Sequence, residues 1–175
     1  MHNSEKQMEA DKLHAISVAE DDDTLRGRYL TFRIGSEVYA FEIRYVTEII
    51  GLQTITEIPN IKKYILGIIN LRGIIVPVVD VRRRFSMPEI EYTDRSCIIV
   101  VRLKNNEIGL LVDEVAEVVV IKNETITGGP KTNKGTHSKF IDGMCKLGNE
   151  VKIILNMFKL LYDEDKMTND HNHEN

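Results

Sequence analysis

Tryptophan is absent from the 175 residues, aromatics make up 6%, and there are four prolines and two cysteines. Two isolated thiols, Cys97 and Cys145, each in or beside an apolar run, exclude a disulfide framework and suit buried, unreactive positions in a reducing compartment. No run approaches the roughly 18 uninterrupted apolar residues of a membrane-spanning helix. The opening stretch MHNSEKQMEADKLHAIS carries no apolar signal core, so secretion is not expected. The glycine-rich phosphate loop, paired helical histidines and nucleophile elbow are all missing, which leaves no template for the commonest catalytic sites. His137 is the one histidine inside the expected structured region, and it falls in a polar loop. Asp113, Glu114 and Glu117 are carboxylates without a visible desolvating pocket, and they read as solvated. The sequence therefore predicts no enzyme and calls for no cofactor or metal.

Charge is short on the positive side as well: the net charge is −4. Small β-barrels that bind single-stranded nucleic acid combine a basic groove with exposed aromatic rings. Here Phe32, Tyr39 and Phe41 fall at strand positions that a core would take. A single-stranded nucleic-acid-binding barrel is thus the alternative reading, and nucleic acid is not the expected partner. Residues 1–26, rich in acid and ending near Glu20-Asp21-Asp22-Asp23, read as a disordered leader, and residues 164–175 as a disordered tail. His171 and His173 in that tail read as solvated.

What is present is β signal. Tyr29–Ile34 and Val38–Ile43 flank a Gly35-Ser36-Glu37 turn and form a hairpin pattern. Further strands are expected at 47–50, 65–70, 74–79, 97–103, 108–112, 117–121, 143–147 and 151–155. Pro77 within such a run points to an edge or a bulge. The pattern also repeats. At an offset of 69, FRIGSEVYAFEIRYVTEII (32–50) matches VRLKNNEIGLLVDEVAEVV (101–119). At an offset of 76, YILGIINLRGIIVPVVDVRRRF (64–85) matches FIDGMCKLGNEVKIILNMFKLL (140–161). The fold expected is mainly β, two matched units packed together: residues 27–88 first and 89–163 second, with strand exchange between them allowed. Each unit is too small to bury much surface alone, so the two must pack, with a groove between them. Asp80 and Asn156 stand at equivalent places and read as caps of short closing helical turns. Arg82-Arg83-Arg84 on the first of those turns reads as solvated surface.

One residue stands apart. In Asn70-Leu71-Arg72-Gly73, between two apolar runs, Gly73 supplies a permissive backbone, Asn70 tolerates a left-handed conformation and Leu71 faces the core. Arg72 has no such structural duty, and its repeat counterpart is Gly148. A forked guanidinium on a turn suits carboxylates or carbonyls of a partner.

The segments YLTFRIGSEVYAFEIRYVTEII, IKKYILGIINLRGIIVPVVDVRRRF, IGLLVDEVAEVVVI and FIDGMCKLGNEVKIILNMFKLL, in that order, resemble the bacterial chemotaxis coupling proteins of the CheW family. The resemblance runs from about Tyr29 to Leu161, and Asn70–Gly73 with the following VPVVD is its most specific part. It implies two SH3-like five-stranded β-barrels. It also implies a cytoplasmic, non-catalytic adaptor at membrane-associated receptor arrays, without cofactor or direct membrane insertion. Its partners would be the signalling tip of transmembrane chemoreceptors and the regulatory domain of the histidine kinase CheA. On that resemblance Val46, Glu48, Ile49, Gly67, Arg72 and Val115 face the receptor, and Ile55, Ile58 and Pro59 face the kinase. The loop 122–139 does not align with family positions and leaves a second kinase-facing surface unassigned.

Overall fold

The computed structural model describes residues 24–128 and 138–162. The acidic leader up to residue 23, the loop segment 129–137 with His137, and the tail from 163 with His171 and His173 lie outside the described residues.

Eleven strands are described: β1 (Arg28–Ile34), β2 (Glu37–Glu42), β3 (Val46–Gly51), β4 (Ile65–Leu71), β5 (Ile74–Asp80), β6 (Cys97–Leu103), β7 (Asn106–Val112), β8 (Glu114–Val120), β9 (Thr127–Gly128), β10 (Ile141–Leu147) and β11 (Glu150–Leu155). Two short helices, α1 (Val81–Arg84) and α2 (Met157–Tyr162), follow β5 and β11. The β-branched runs that predicted strands form them, because stiff side chains pack well on a pleated half-buried surface. The two-residue β9, inside the 122–139 loop, is the one described strand not expected from the sequence.

The repeat is a real duplication of structure. β6 begins 69 residues after β1, and β10 begins 76 residues after β4. Even the irregularities match: the β4–β5 ladder slips between Ile65 and Gly67, and the β10–β11 ladder slips between Ile141 and Gly143. The sheets, however, do not follow the sequence halves. One sheet has the order β8-β1-β2-β11-β10-β9 and the other β3-β6-β7-β5-β4. Each half lends its leading hairpin to the other half's sheet, through the parallel pairs β2–β11 and β5–β7. Neither residues 27–88 nor 89–163 is by itself one sheet.

The core explains why the two units require each other. The largest cluster joins Phe32, Tyr39 and Phe41 of one sheet to Val79, Ile99, Val101 and Leu110 of the other. Two smaller clusters fill the separate sheet interiors: Ile69, Val76, Val78, Ile98, Val100 and Leu111 in one, and Tyr29, Ala40, Ile121, Cys145 and Ile154 in the other. Most of the apolar burial that drives folding thus lies between the sheets. This is the mainly β architecture of paired SH3-like units with short closing helices.

Three local expectations are corrected. β5 is an inner strand, not an edge, although the slip expected as the alternative does lie beside Pro77, at the Gly67–Val78 pair of the β4–β5 ladder; β7 pairs with β5 only from Val78 onward, so at Pro77 the missing N–H costs no bond on that side. Asp113 is half-buried rather than solvated. Arg82 donates to it through Nε (2.8 Å) and Nη2 (2.6 Å), and the Gly35 amide donates at 2.7 Å. Burial pushes the Asp113 carboxyl up, but those hydrogen bonds outweigh it and hold the group below its ordinary range. The third is the arginine run: Arg82 is held by Asp113, and Arg84 is buried.

Both closing turns are capped as read. The Arg83 amide donates to Asp80 Oδ1 (3.3 Å) and the Lys159 amide to Asn156 Oδ1 (3.0 Å). The two caps differ in charge. Burial raises the Asp80 carboxyl above its ordinary value, against the pull of the Arg83 and Arg82 amides. An acid so raised stabilises the fold most when protonated, and that contribution is lost as pH rises through its folded pKa. Asp80→Asn copies the second cap and removes the buried charge. Calorimetry should find the variant melting above the parent at neutral pH and converging with it near about pH 3. A lower melting temperature at neutral pH would show that the carboxylate is needed as a charge.

Candidate functional site

The site grows from the β4–β5 turn. Arg72 (φ 52°) and Gly73 (φ 83°) both take left-handed backbone, the pattern of a two-residue hairpin turn whose twist matches its strands. Asn70 stays within β4, and its Oδ1 accepts from the Gly73 amide at 2.9 Å. The left-handed conformation expected at Asn70 therefore falls on Arg72. Leu71 packs against the smaller core as expected. At the equivalent turn Gly148 takes the same conformation (φ 61°). Glycine does this without strain, whereas a side chain with a Cβ does not. Arginine at this position is a departure from what the turn itself prefers.

The guanidinium reaches Glu48 on β3. Nη1 and Nη2 of Arg72 donate to the two carboxylate oxygens of Glu48 in a forked pair. β3 and β4 are opposite edges of the five-stranded sheet, so the pair bridges the sheet's open side. The Glu48 hydrogen bond and then its charge raise the Arg72 pKa further, with Glu107 adding to the effect. The Arg72 side chain is 73% exposed and that of Glu48 26%. The pair is therefore a fixed orientation more than a source of stability. In the other sheet Glu117 takes the place of Glu48 and meets Lys152, a buried cation that also pairs with Glu150 at 2.6 Å. One unit thus directs its cation inward and the other displays it.

Of the sequence-predicted residues, the structure joins Glu48 to Arg72, and the others lie as follows. Ile49, next to Glu48, is exposed, as are Ile74 and Ile75 directly after the turn, which sequence reading did not single out. Their placement beside Arg72 in the chain was the available signal. Val46 and Val115 occupy equivalent positions on β3 and β8 and pack partly buried against the core between the sheets. Gly67 is buried, and a Cβ there would lie 2.1 Å from the Thr56 carbonyl oxygen. Ile55 packs partly buried against the smaller core, while Ile58 and Pro59 are exposed on the loop beyond it. Cys97 is half-buried, its thiol pushed up by burial, and Cys145 is buried. Among the described residues no group of three or more His, Cys, Asp and Glu could hold a metal ion, and no helix is long and apolar enough to cross a membrane.

Two strand-exchanged SH3-like units, with an exposed guanidinium fixed at the edge of one of them, define a duplicated β-barrel domain. The family model described as the CheW-like domain matches residues 28–165. The chain is 32% identical over 143 residues to the chemotaxis protein CheW of Klebsiella aerogenes, covering 82% of this chain and 86% of the relative. It is 30% identical over 141 residues to that of Bacillus subtilis, covering 81% and 90%. Among solved structures it is similar to the scaffolding protein TtCheW from Thermoanaerobacter tengcongensis, with a TM-score of 0.70 and 33% identity over 77% of this chain and 86% of that one. The chain belongs to the CheW-like domain family.

Proposed function

We propose that the chain is a non-catalytic chemotaxis adaptor in the cytoplasm, joining membrane-associated chemoreceptors to the histidine kinase CheA. The observation that carries this reading is Arg72: a strained, exposed cation held in place by Glu48 where the duplicate turn uses glycine. Strain kept at one copy of a duplicated turn, with no folding benefit, is what a binding residue produces. Family membership and the description of a similar protein as a scaffold supply the rest.

In this reading Arg72, Glu48 and Ile49 meet the receptor tip, Val46 and Val115 flank the junction between the sheets, and Gly67 shapes it. Ile55, Ile58 and Pro59, on the loop that follows β3, serve the kinase's regulatory domain. No cofactor, metal or nucleic acid enters the mechanism. Two modest faces on one small protein gain strength when several contacts form within one array. The adaptor passes signal by favouring one arrangement of receptor and kinase over another.

The test separates fold from contact. Arg72→Gly copies Gly148, so its melting temperature should equal or exceed the parent's. Binding of a purified receptor signalling tip, followed by calorimetry, should weaken about thirtyfold, as loss of a hot-spot residue does. Arg72→Ala should lose the same binding with an intact fold. Unchanged receptor affinity in both variants would remove Arg72 from the interface.

A further inference from the structure

The two closing helices meet the rest of the fold differently. In the first unit the chain leaves α1 through Ser86, in left-handed backbone (φ 56°), and the Met87 amide returns to the Arg82 carbonyl at 2.9 Å. Met87 then packs partly buried against the main core, and Arg82 Nη1 donates to the Pro88 carbonyl at 3.1 Å. Met87 and Arg82 together roof the β1–β2 turn: a Cβ on Gly35 would lie 3.6 Å from Met87 Cε and 3.8 Å from Arg82 Nη2. That corner is covered by the chain that follows its own helix.

The second unit builds the same corner from other residues. Lys104 stands for Gly35 at the β6–β7 turn, and Phe158 stands for Arg82 on α2. The Lys104 ammonium lies 5.4 Å from the centre of the Phe158 ring and 5.4 Å from that of Tyr162. The two rings are 6.4 Å apart and tilted by 42°, and the Tyr162 hydroxyl donates to the Leu103 carbonyl at 3.4 Å. Yet Phe158 is 43% exposed and Tyr162 41%. Lys104 is exposed too, and among the described residues it meets these rings and no carboxylate. The corner leaves apolar area and one positive charge open.

The sequence that follows α2 complements this face. Met87, the cover in the first unit, comes three residues after Arg84, the last residue of α1. Three residues after Tyr162, the last residue of α2, stands Asp165, within Asp163-Glu164-Asp165-Lys166-Met167. Where Met87 lies over Gly35, the same path would bring an acid to Lys104. The three carboxylates outnumber Lys166, so the segment is opposite in charge to the face. Met167 is its one large apolar side chain, and a thioether packs well at aromatic edges, with sulfur about 5 Å from the ring.

We propose that residues 163–167 fold back over this corner, with Asp165 beside Lys104 and Met167 against the rings of Phe158 and Tyr162. The segment closes the second unit as Met87 and Pro88 close the first. None of the receptor- or kinase-facing residues takes part, so the adaptor reading can fail while this contact stands.

The experiment is NMR of the full chain with ¹³C-methyl-labelled methionine at low salt. Expected are nuclear Overhauser contacts from the Met167 methyl to the Phe158 and Tyr162 ring protons. Amide exchange at 164–167 should be about fivefold slower than in Asp165→Lys, which loses those contacts while the core resonances stay in place. Adding Lys104→Asp to Asp165→Lys reverses the pair and should restore them. Aspartate tolerates the left-handed backbone of Lys104 (φ 50°), so the turn is kept. A Met167 methyl without ring contacts in the parent chain would overturn the proposal, as would contacts that survive Asp165→Lys or fail to return in the double variant. Contacts that grow with protein concentration would assign the face to a second copy and overturn it as well.

Discussion

Arg84→Leu should lower stability by about 4 kcal/mol, one of the largest effects available to a single substitution outside a strained backbone. Arg84 belongs to a run of three arginines, yet only 5% of it is exposed. Its guanidinium carbon lies 4.2 Å from the centre of the Tyr64 ring and 4.6 Å from that of Phe140. Its Nε donates to the Leu160 carbonyl at 2.8 Å. Leu160 is Arg84's own counterpart in the repeat, so the side chain of one closing helix holds the last turn of the other. A desolvated cation between two rings contributes about 2 kcal/mol, and a hydrogen bond from a charged donor another 1.5–3 kcal/mol. Leucine restores apolar volume but leaves the Leu160 carbonyl without this donor. For a domain of this size the loss corresponds to a fall of about 10 °C in melting temperature, measurable by calorimetry together with a lowered denaturant midpoint at unchanged slope. Arg83→Leu, one residue earlier and partly exposed, should cost much less. If the two variants melted alike, the central role of Arg84 between the sheets would be refuted.

Arg84 also marks the limit of what the sequence made legible. Strand positions were readable because alternation and β-branched runs are local properties: Cys97–Leu103 was bounded correctly, and the cap at Asn156 was visible from its neighbours. The duplication was readable for the same reason, since matched periodicity needs no knowledge of tertiary packing. A charged run, by contrast, reads as solvated unless the rings that sandwich it are known, and Tyr64 and Phe140 come from distant segments. Strand exchange was likewise open, because alternation specifies which face of a strand is buried and not which strand it pairs with. At the site, Arg72 was conspicuous as a cation on a turn. Its left-handed backbone and its forked pair with Glu48 are properties of the folded turn, and residue type alone had pointed to Asn70 as the left-handed position. Asp113 was misread because its partner, Arg82, sits on a helix of a different hairpin.

Gly67→Ala should be the most damaging small change in the chain, and it distinguishes direct contact from positioning. Gly67 sits at the slip in the β4–β5 ladder with φ 150°, a conformation that residues with a Cβ avoid. The added carbon would lie 2.1 Å from the Thr56 oxygen and 3.0 Å from Ile55 Cγ2. The Thr56 backbone cannot withdraw freely, because Thr56 and Ile68 exchange two hydrogen bonds of 2.9 Å each. Gly143 stands in the same relation to Thr127, whose oxygen would be 2.5 Å from its Cβ, so close approach at the slip is a requirement of each unit. Backbone strain and overpacking together make the expected loss about 3 kcal/mol or more. Whatever folds must push the segment around Ile55 and Thr56 outward, and with it the loop bearing Ile58 and Pro59. Under the adaptor reading, folded Gly67→Ala protein should therefore lose affinity for the kinase's regulatory domain at least as much as for the receptor tip. Arg72→Gly should weaken receptor binding alone. Equal stability of Gly67→Ala and parent in a denaturant titration would show that the slip tolerates a side chain. A folded variant that still binds the kinase's regulatory domain but no longer binds the receptor tip would instead place Gly67 at the receptor surface itself.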